Sequence, residues 1–458
     1  MRLLENTVIW LIMMENIYYK KFDTFDDLKD GTKDIELFVK QIIIQHDEGN
    51  NKSTATDGTT AAAPTTTTTA ATTAATTKTL KEWFENKNNR EYTISNSGIY
   101  DISELSKLEN PLTPNQYIII NAENVTITGV DNNNDNTITL ANGHGGLIQN
   151  GTSNDTAKAC TIENIKVKCV EDGTLEELGG GICRAYFGRN LENGNILIDN
   201  CHFIGGTIGK WAGGICGSDC GTGMTSGELT IQNCSNTGNI GEEAGGICGI
   251  DCGPNMEGGS LTIQNCSNTG TIEGSSAGGI CGPACGLSMS GDASLTIQNC
   301  SNTGNIGEDA GGICGSSCGY TMTGGSLTIQ NCSSDGTIEG KGGGICGSDC
   351  GNKMTGGELT IQNCLYKYDG DGIINVNNQN TIVTTKLVGN NSNVDLITYN
   401  NTLYYRSNVK KDKYDEAATN TIGVNSDAWD NCNDNNSPWV LEGRTCKSGF
   451  FSPGNTPT

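Results

Sequence analysis

The chain is short of the residues that build an ordinary globular core. Aromatic residues make up only 6% of the 458 positions, so an interior centred on large rings is excluded. Proline is rare, with 8 copies, and histidine rarer, with 3 at His46, His144 and His202. Three imidazoles cannot furnish a repeated His-based metal or catalytic centre. Basic residues are also scarce: 28 Lys and Arg stand against 52 Asp and Glu, a net charge of −24. That balance excludes a broad phosphate-binding surface, so no nucleic-acid partner is expected, and it disfavours anionic membrane surfaces. No apolar run approaches the roughly 20 residues of a membrane-spanning helix. Arg2 and the run Val8 to Met14 resemble parts of a secretory signal. Glu5 and Glu15 bracket that run and no small-residue cleavage site follows, so it reads as an amphipathic or buried helix.

Glycine and cysteine are plentiful instead, with 63 and 21 copies, and both are periodic. A GGIC phrase recurs at Cys183, Cys216, Cys248, Cys281, Cys314 and Cys346. A second phrase, ILIDNC and then LTIQNC, ends at Cys201, Cys234, Cys266, Cys300, Cys332 and Cys364. The period is 32 to 34 residues, which is the signature of a stacked repeat architecture and overrides any domain count from length.

The unit Gly311 to Gly342 holds three short extended candidates, GGIC, SLTIQN and GTIE, with glycine and polar residues between them. None has the length or period of a helix. Short strands that each pair with their copy one unit away predict an all-β chain: a right-handed parallel β-helix of 32–34-residue coils. Alternation then sends Leu229, Leu261, Leu295, Leu327 and Leu359 inward with Ile231, Ile263, Ile297, Ile329 and Ile361, and sends Thr230, Gln232 and their copies outward.

The organisation follows. Residues 1–48 carry helical spacing, and residues 49–79 form a Thr/Ala-rich linker with nothing large to bury, expected to be disordered. Residues 80–178 are N-terminal coils and cap, 179–364 the Gly/Cys repeats, 365–410 irregular C-terminal coils, and 411–458 a polar tail or cap.

The phrase I-x-N-C resembles the right-handed β-helix, pectin-lyase-like superfamily, in which an Asn at a coil bend stacks into an internal ladder. Asn200, Asn233, Asn265, Asn299, Asn331 and Asn363 match that position. Together with the AGGICG phrase, the chain is similar to Gly/Cys-rich β-helix repeat proteins of giant DNA viruses and to some bacterial surface proteins. The resemblance covers roughly residues 90 to 400 and implies a fold far more than a function.

Two kinds of cysteine are present. Those after the bend Asn align with Ile165 in the earlier phrase CTIENI, where Cys160 stands at a core Leu position. Both positions therefore point inward, and we read a free buried ladder there. The others form C-x3-C pairs: Cys216 with Cys220, Cys248 with Cys252, Cys281 with Cys285, Cys314 with Cys318, and Cys346 with Cys350. These pairs, and Cys432 with Cys446, are candidate disulfides, with unpaired thiols as the alternative. Their spacing departs from the C-x2-C or C-x4-C of zinc sites, so no metal and no cofactor are expected.

Gly143-His144-Gly145 resembles a motif of polygalacturonases, but the aspartate pair and Arg-x-Lys element of that family are missing. The recurring acids Asp219, Asp251, Asp349, Glu242, Glu243, Glu273, Glu308, Asp309 and Glu339 read as solubilising charge before calcium ligands. Sequons at Asn124, Asn150, Asn154, Asn390 and Asn400 are open to glycosylation if the chain is exported, and the internal NCS sequons are not. With no catalytic residues expected, the reading is a non-enzymatic structural or surface-recognition solenoid. It would serve as a scaffold or adhesin on a virion or cell surface, with a glycan or surface receptor as partner. The alternative is a carbohydrate-active enzyme, a polysaccharide lyase or glycoside hydrolase, on the same fold. The sequence leaves compartment and oligomeric state open; oxidised cysteines would favour a virion or extracellular surface.

Overall fold

A computed structural model describes residues 77–129, 136–151, 155–338, 342–362, 364–368, 397–400 and 403–406. They all lie within the unit Thr72–Thr458. The expected N-terminal helices, nearly all of the Thr/Ala segment, the polar tail, Asn363, Cys432 and Cys446 lie outside the described residues.

The described residues form an all-parallel β-solenoid. Its longest wall is a ten-stranded sheet running from Gly98–Asp101 through Glu228–Gln232, Ser260–Gln264 and Ser294–Gln298 to Ile397–Asn400. Like residues stack in strict register: Leu229 on Leu261 on Leu295 on Leu327 on Leu359, with the Ile, Thr and Gln ranks alongside. Alternation in the LTIQ phrase explains the wall. Leu261 and Ile263 are fully buried while Thr262 and Gln264 remain half-exposed. Each such Leu or Ile contributes roughly 1.5–3 kcal/mol by leaving water.

Coils differ in length without losing register. Ile272 and Ala277 stand one residue further apart than Ile240 and Ala244 do, and Met289–Leu295 is one residue longer than Met256–Leu261. The extra residues sit in loops between walls, and Ile263 still pairs with Ile297.

The cross-section departs from the expected three strands. After each bend a nine-stranded sheet forms a further wall from two-residue strands such as Ser235–Asn236, Ser267–Asn268 and Ser301–Asn302. GGIC is not an extended strand. Its β-bridges fall at its first Gly and its Cys, as in Gly245↔Gly278 and Cys248↔Cys281, and the Gly246 and Ile247 amides donate to the Gly278 and Ile280 carbonyls at 3.1 and 2.9 Å. Crowding explains the glycine: a Cβ at Gly245 would lie 1.8 Å from the Cys248 carbonyl oxygen of its own turn. The GTIE region pairs through Thr207–Ile208 and Asn239–Ile240, then through single bridges Ile240↔Ile272↔Ile306↔Ile338.

Among the described residues one α-helix, Thr77–Glu85, packs on the first coil against the turn Ser103–Lys107. Its Leu80 and Phe84, one turn apart, are buried, and Lys81 reaches Glu85 at 3.6 Å on the outer side. Gln116, itself buried, donates to the Phe84 carbonyl at 3.0 Å and ties the helix end to the stack.

Candidate functional site

Three repeated features run along the stack. The first is outside. Gln264 donates to Gln232 at 2.8 Å, Gln298 to Gln264 at 2.7 Å, Gln330 to Gln298 at 2.7 Å and Gln362 to Gln330 at 2.6 Å. Parallel register puts these amides one strand spacing apart, so each can hold the next. The result is a fixed polar strip beside the Thr230, Thr262, Thr296 and Thr328 rank.

The second is an internal asparagine ladder, formed by residues other than those expected. Asn236, Asn268 and Asn302 are fully buried. Asn236 donates to the Asn268 oxygen at 2.6 Å and Asn268 to that of Asn302 at 2.7 Å, and Asn302 reaches the Ser334 hydroxyl at 3.3 Å. Asn268 also donates to the Gly270 carbonyl at 2.8 Å and accepts from the Gly270 amide at 3.1 Å, so its amide is saturated.

The bend residues Asn200, Asn233, Asn265, Asn299 and Asn331 adopt left-handed φ of 50° to 55°. That backbone, which Asn tolerates better than most residues, turns Asn233 and Asn265 out to solvent, while Asn200, Asn299 and Asn331 are half-buried and the Oδ1 atoms of Asn299 and Asn331 are buried without a hydrogen bond. Asn265 donates to Asn233 at 3.3 Å, Asn233 to Asp199 at 2.7 Å, and Asn200 to Asn164 at 2.8 Å. The links at Asn200, Asn233 and Asn265 run along the outer edge of the stack, which corrects the inward placement expected there. Exposure also reopens the Asn233 and Asn265 sequons, whereas Asn150 is fully buried.

The third feature is sulfur. The thiol after each bend donates to the carbonyl two residues back: Cys234 to Gln232 at 3.0 Å, Cys266 to Gln264 at 3.3 Å and Cys300 to Gln298 at 3.2 Å, and likewise at Cys201, Cys332 and Cys364. Burial pushes the Cys234, Cys266 and Cys332 thiols well above the ordinary range.

The C-x3-C cysteines occupy a different corner. A left-handed residue precedes the second cysteine in each coil, at Asp219, Asp251, Ala284, Ser317 and Asp349, and returns it to the interior beside the first. Sulfurs gather there in threes, each group within 4.8 Å: Cys216, Cys220 and Cys248; Cys252, Cys281 and Cys285; Cys285, Cys314 and Cys318; Cys318, Cys346 and Cys350. All are completely buried. Their hydrogen-bonding neighbours are other thiols, and S–H donors from Cys216 and Cys248 hold the Cys220 thiol down to about 6 against the effect of burial.

Every one of these cysteines is a free thiol in this structure. A methionine follows four residues after each second cysteine, at Met224, Met256, Met289, Met322 and Met354, and all are buried. Sequence reasoning passed over this column, although C-x3-C-x3-M recurs five times. In the first coil, Phe187 and Leu191 take the places of the second cysteine and the methionine.

His144 sits in the first turns, fully buried. Its Nδ1 accepts from the Gly146 amide at 3.0 Å and its Nε2 meets the Gln116 carbonyl at 3.1 Å. Burial, then the Arg184 charge, hold its pKa to about 4, so both nitrogens of a neutral ring are engaged by backbone.

Among the acids, Asp219 and Asp251 are half-buried. Burial, then the Asp219 charge, push Asp251 up to about 6. Glu242 and Glu243 pair with Lys210 at 3.1 and 3.8 Å. Glu339 is outside the described residues, and no helix among the described residues is long and apolar enough to cross a membrane. The chain matches no family model, no curated protein and no solved structure.

Proposed function

We propose that the chain is a non-enzymatic recognition scaffold, a β-solenoid that presents one polar strip many times over to an extended partner at a virion or cell surface. The observation that carries this reading is the Gln232 to Gln362 ladder, whose amides hold one another in fixed orientation. A rigid row of amides with a Thr rank beside it offers alternating donors and acceptors at strand spacing, which suits the hydroxyls of a glycan chain or the backbone of an extended receptor segment. Weak contacts then add along the stack. His144 supports the same reading: its ring nitrogens are committed to backbone and its side chain is sealed from solvent, whereas a general acid or base must reach substrate.

The test is a panel of immobilised polysaccharides scored in parallel for binding and for reducing-sugar or unsaturated products. Retention without turnover is expected. Deleting residues 296–327, which joins Leu295 to Thr328 and removes one coil in register, should keep the fold and weaken retention. Robust turnover that His144→Ala abolishes would replace this reading with that of a carbohydrate-active enzyme.

A further inference from the structure

We propose that the C-x3-C-x3-M corner is a binding column for a soft monovalent d10 metal ion, copper(I), held by triads of cysteine sulfur.

Four observations support it. Each triad brings three sulfurs within 4.8 Å of one another. Three sulfurs around one ion at a metal–sulfur bond of about 2.3 Å stand roughly 4 Å apart, so only a small inward movement is needed. Next, every group stops at three. Closed structural zinc sites take four ligands, whereas copper(I) is satisfied by two or three soft donors. An iron–sulfur cluster would need room for its own sulfides, which sulfurs this close do not leave.

The third observation is the thioether. A Cβ at Gly253, the residue after Cys252, would lie 3.1 Å from Met256 Sδ, and one at Gly286, after Cys285, 3.1 Å from Met289 Sδ. Each methionine thus folds its sulfur back over the backbone beside the second cysteine of its own coil. Thiolate together with thioether is the donor set that selects copper(I). The fourth is the contrast with the bend cysteines, which have carbonyl acceptors and meet one another only in single file, coil to coil, with no three of them among the triads. Small buried hydrophobes would not need to gather in threes at one corner only.

Each ligating cysteine releases its thiol proton to solvent as Cu+ binds, and sharing Cys285 and Cys318 between two ions reduces the thiolate charge left over. Three triads are linked because Cys285 and Cys318 each belong to two of them, while Cys216, Cys220 and Cys248 share no member with the others and touch the next triad through Cys248. The thiols are sealed, so loading accompanies folding in the cell.

The full chain is expressed with copper supplementation, purified anaerobically with a non-thiol reductant, and its metal counted by elemental mass spectrometry. Four copper ions per chain are expected, one for each triad. Cys220→Ser, in one triad, should lose one; Cys285→Ser, shared by two, should lose two; Cys266→Ser, in the bend column, should lose none. Circular dichroism checks that each variant folds. Should a serine variant not fold, X-ray absorption at the copper edge of the unmodified chain decides: a three-coordinate, all-sulfur shell supports the proposal. Copper-free protein, zinc in place of copper, C-x3-C disulfides in the anaerobic material, nitrogen or oxygen in the metal shell, or equal losses from Cys266→Ser and Cys285→Ser would each overturn it.

Discussion

Two sulfur columns run the length of the Gly/Cys repeats, and they use the same side chain for different ends. At the bend, one thiol per coil adds a second donor to a carbonyl that already accepts a backbone amide of the adjacent coil: Gln298 takes the Asn265 amide at 3.1 Å and the Cys300 thiol at 3.2 Å. At the corner, two thiols and a thioether per coil enter a turn closed by a left-handed residue, and the sulfurs meet one another. The bend column places a small apolar side chain in the core and gives its weak S–H donor a carbonyl within reach. The corner column spends three residues per coil to place sulfur beside sulfur. Burial alone therefore does not say what a cysteine is for; its nearest acceptor does.

The comparison can be broken from its base. Ile297 lines the wall between the columns and is fully buried. Ile297→Asp would bury a carboxylate with no partner, and about 5 kcal/mol or more of stability should be lost; an unchanged thermal melt would refute the stacked interior. A smaller effect separates the columns directly. In Cys300→Ser the hydroxyl can still donate to Gln298, so the loss should stay near or below ~1 kcal/mol. In Cys285→Ser the hydroxyl sits among sulfurs, and the loss should reach about 2 kcal/mol. Equal urea midpoints for the two variants would erase the distinction. Oxidation supplies a third contrast. Mass mapping after exposure to diamide should find crosslinks only among corner cysteines; a disulfide at Cys234, Cys266 or Cys300 would run against the stacking distances.

The smallest effect is a pH dependence confined to the corner. Asp251 lies inside the C-x3-C turn, and its pKa is raised from 3.8 to about 6. A carboxyl that holds its proton more tightly folded than unfolded favours the fold at low pH. Its contribution is lost as pH rises from the ordinary carboxylate value through about 6 and is flat above that. Asp251→Asn should therefore raise the melting temperature at pH 7.5 and leave it nearly unchanged at pH 4. After allowance for partial exposure the difference is about 1 kcal/mol. A greater gain at the acidic pH would reverse the assignment.

Much of the fold was legible because LTIQ carries both a period of two within the strand and a fixed offset between copies. That double regularity places Leu261 and Ile263 inside and Gln264 outside before any coordinates are seen. The Ser-Asn wall was not legible, since a two-residue strand has no period to detect, and the burial of Asn268 depends on Gly270 folding back to meet it. The bend asparagines were assigned inward because the resemblance supplies an internal ladder; the left-handed backbone turns Asn233 and Asn265 outward instead. The helix Thr77–Glu85 had a signal, Leu80 and Phe84 one turn apart, that the neighbouring Thr/Ala composition obscured. At the corner the cysteine pairs were visible, but contact between pairs of successive coils is a property of the stack, and the methionines hide among variable loop residues.

Near-identical coils carry a hazard of their own: a chain whose units all match could stack one unit out of place and still satisfy every ladder. The first Gly/Cys coil removes that freedom. Phe203 stands where later coils place the internal asparagine, and it packs so closely under Gly238 that a Cβ there would lie 2.5 Å from its ring. Phe187 and Leu191 fill the corner that later coils give to sulfur. A unit bearing these three side chains cannot exchange places with its neighbours, so it fixes the origin from which all the others are counted.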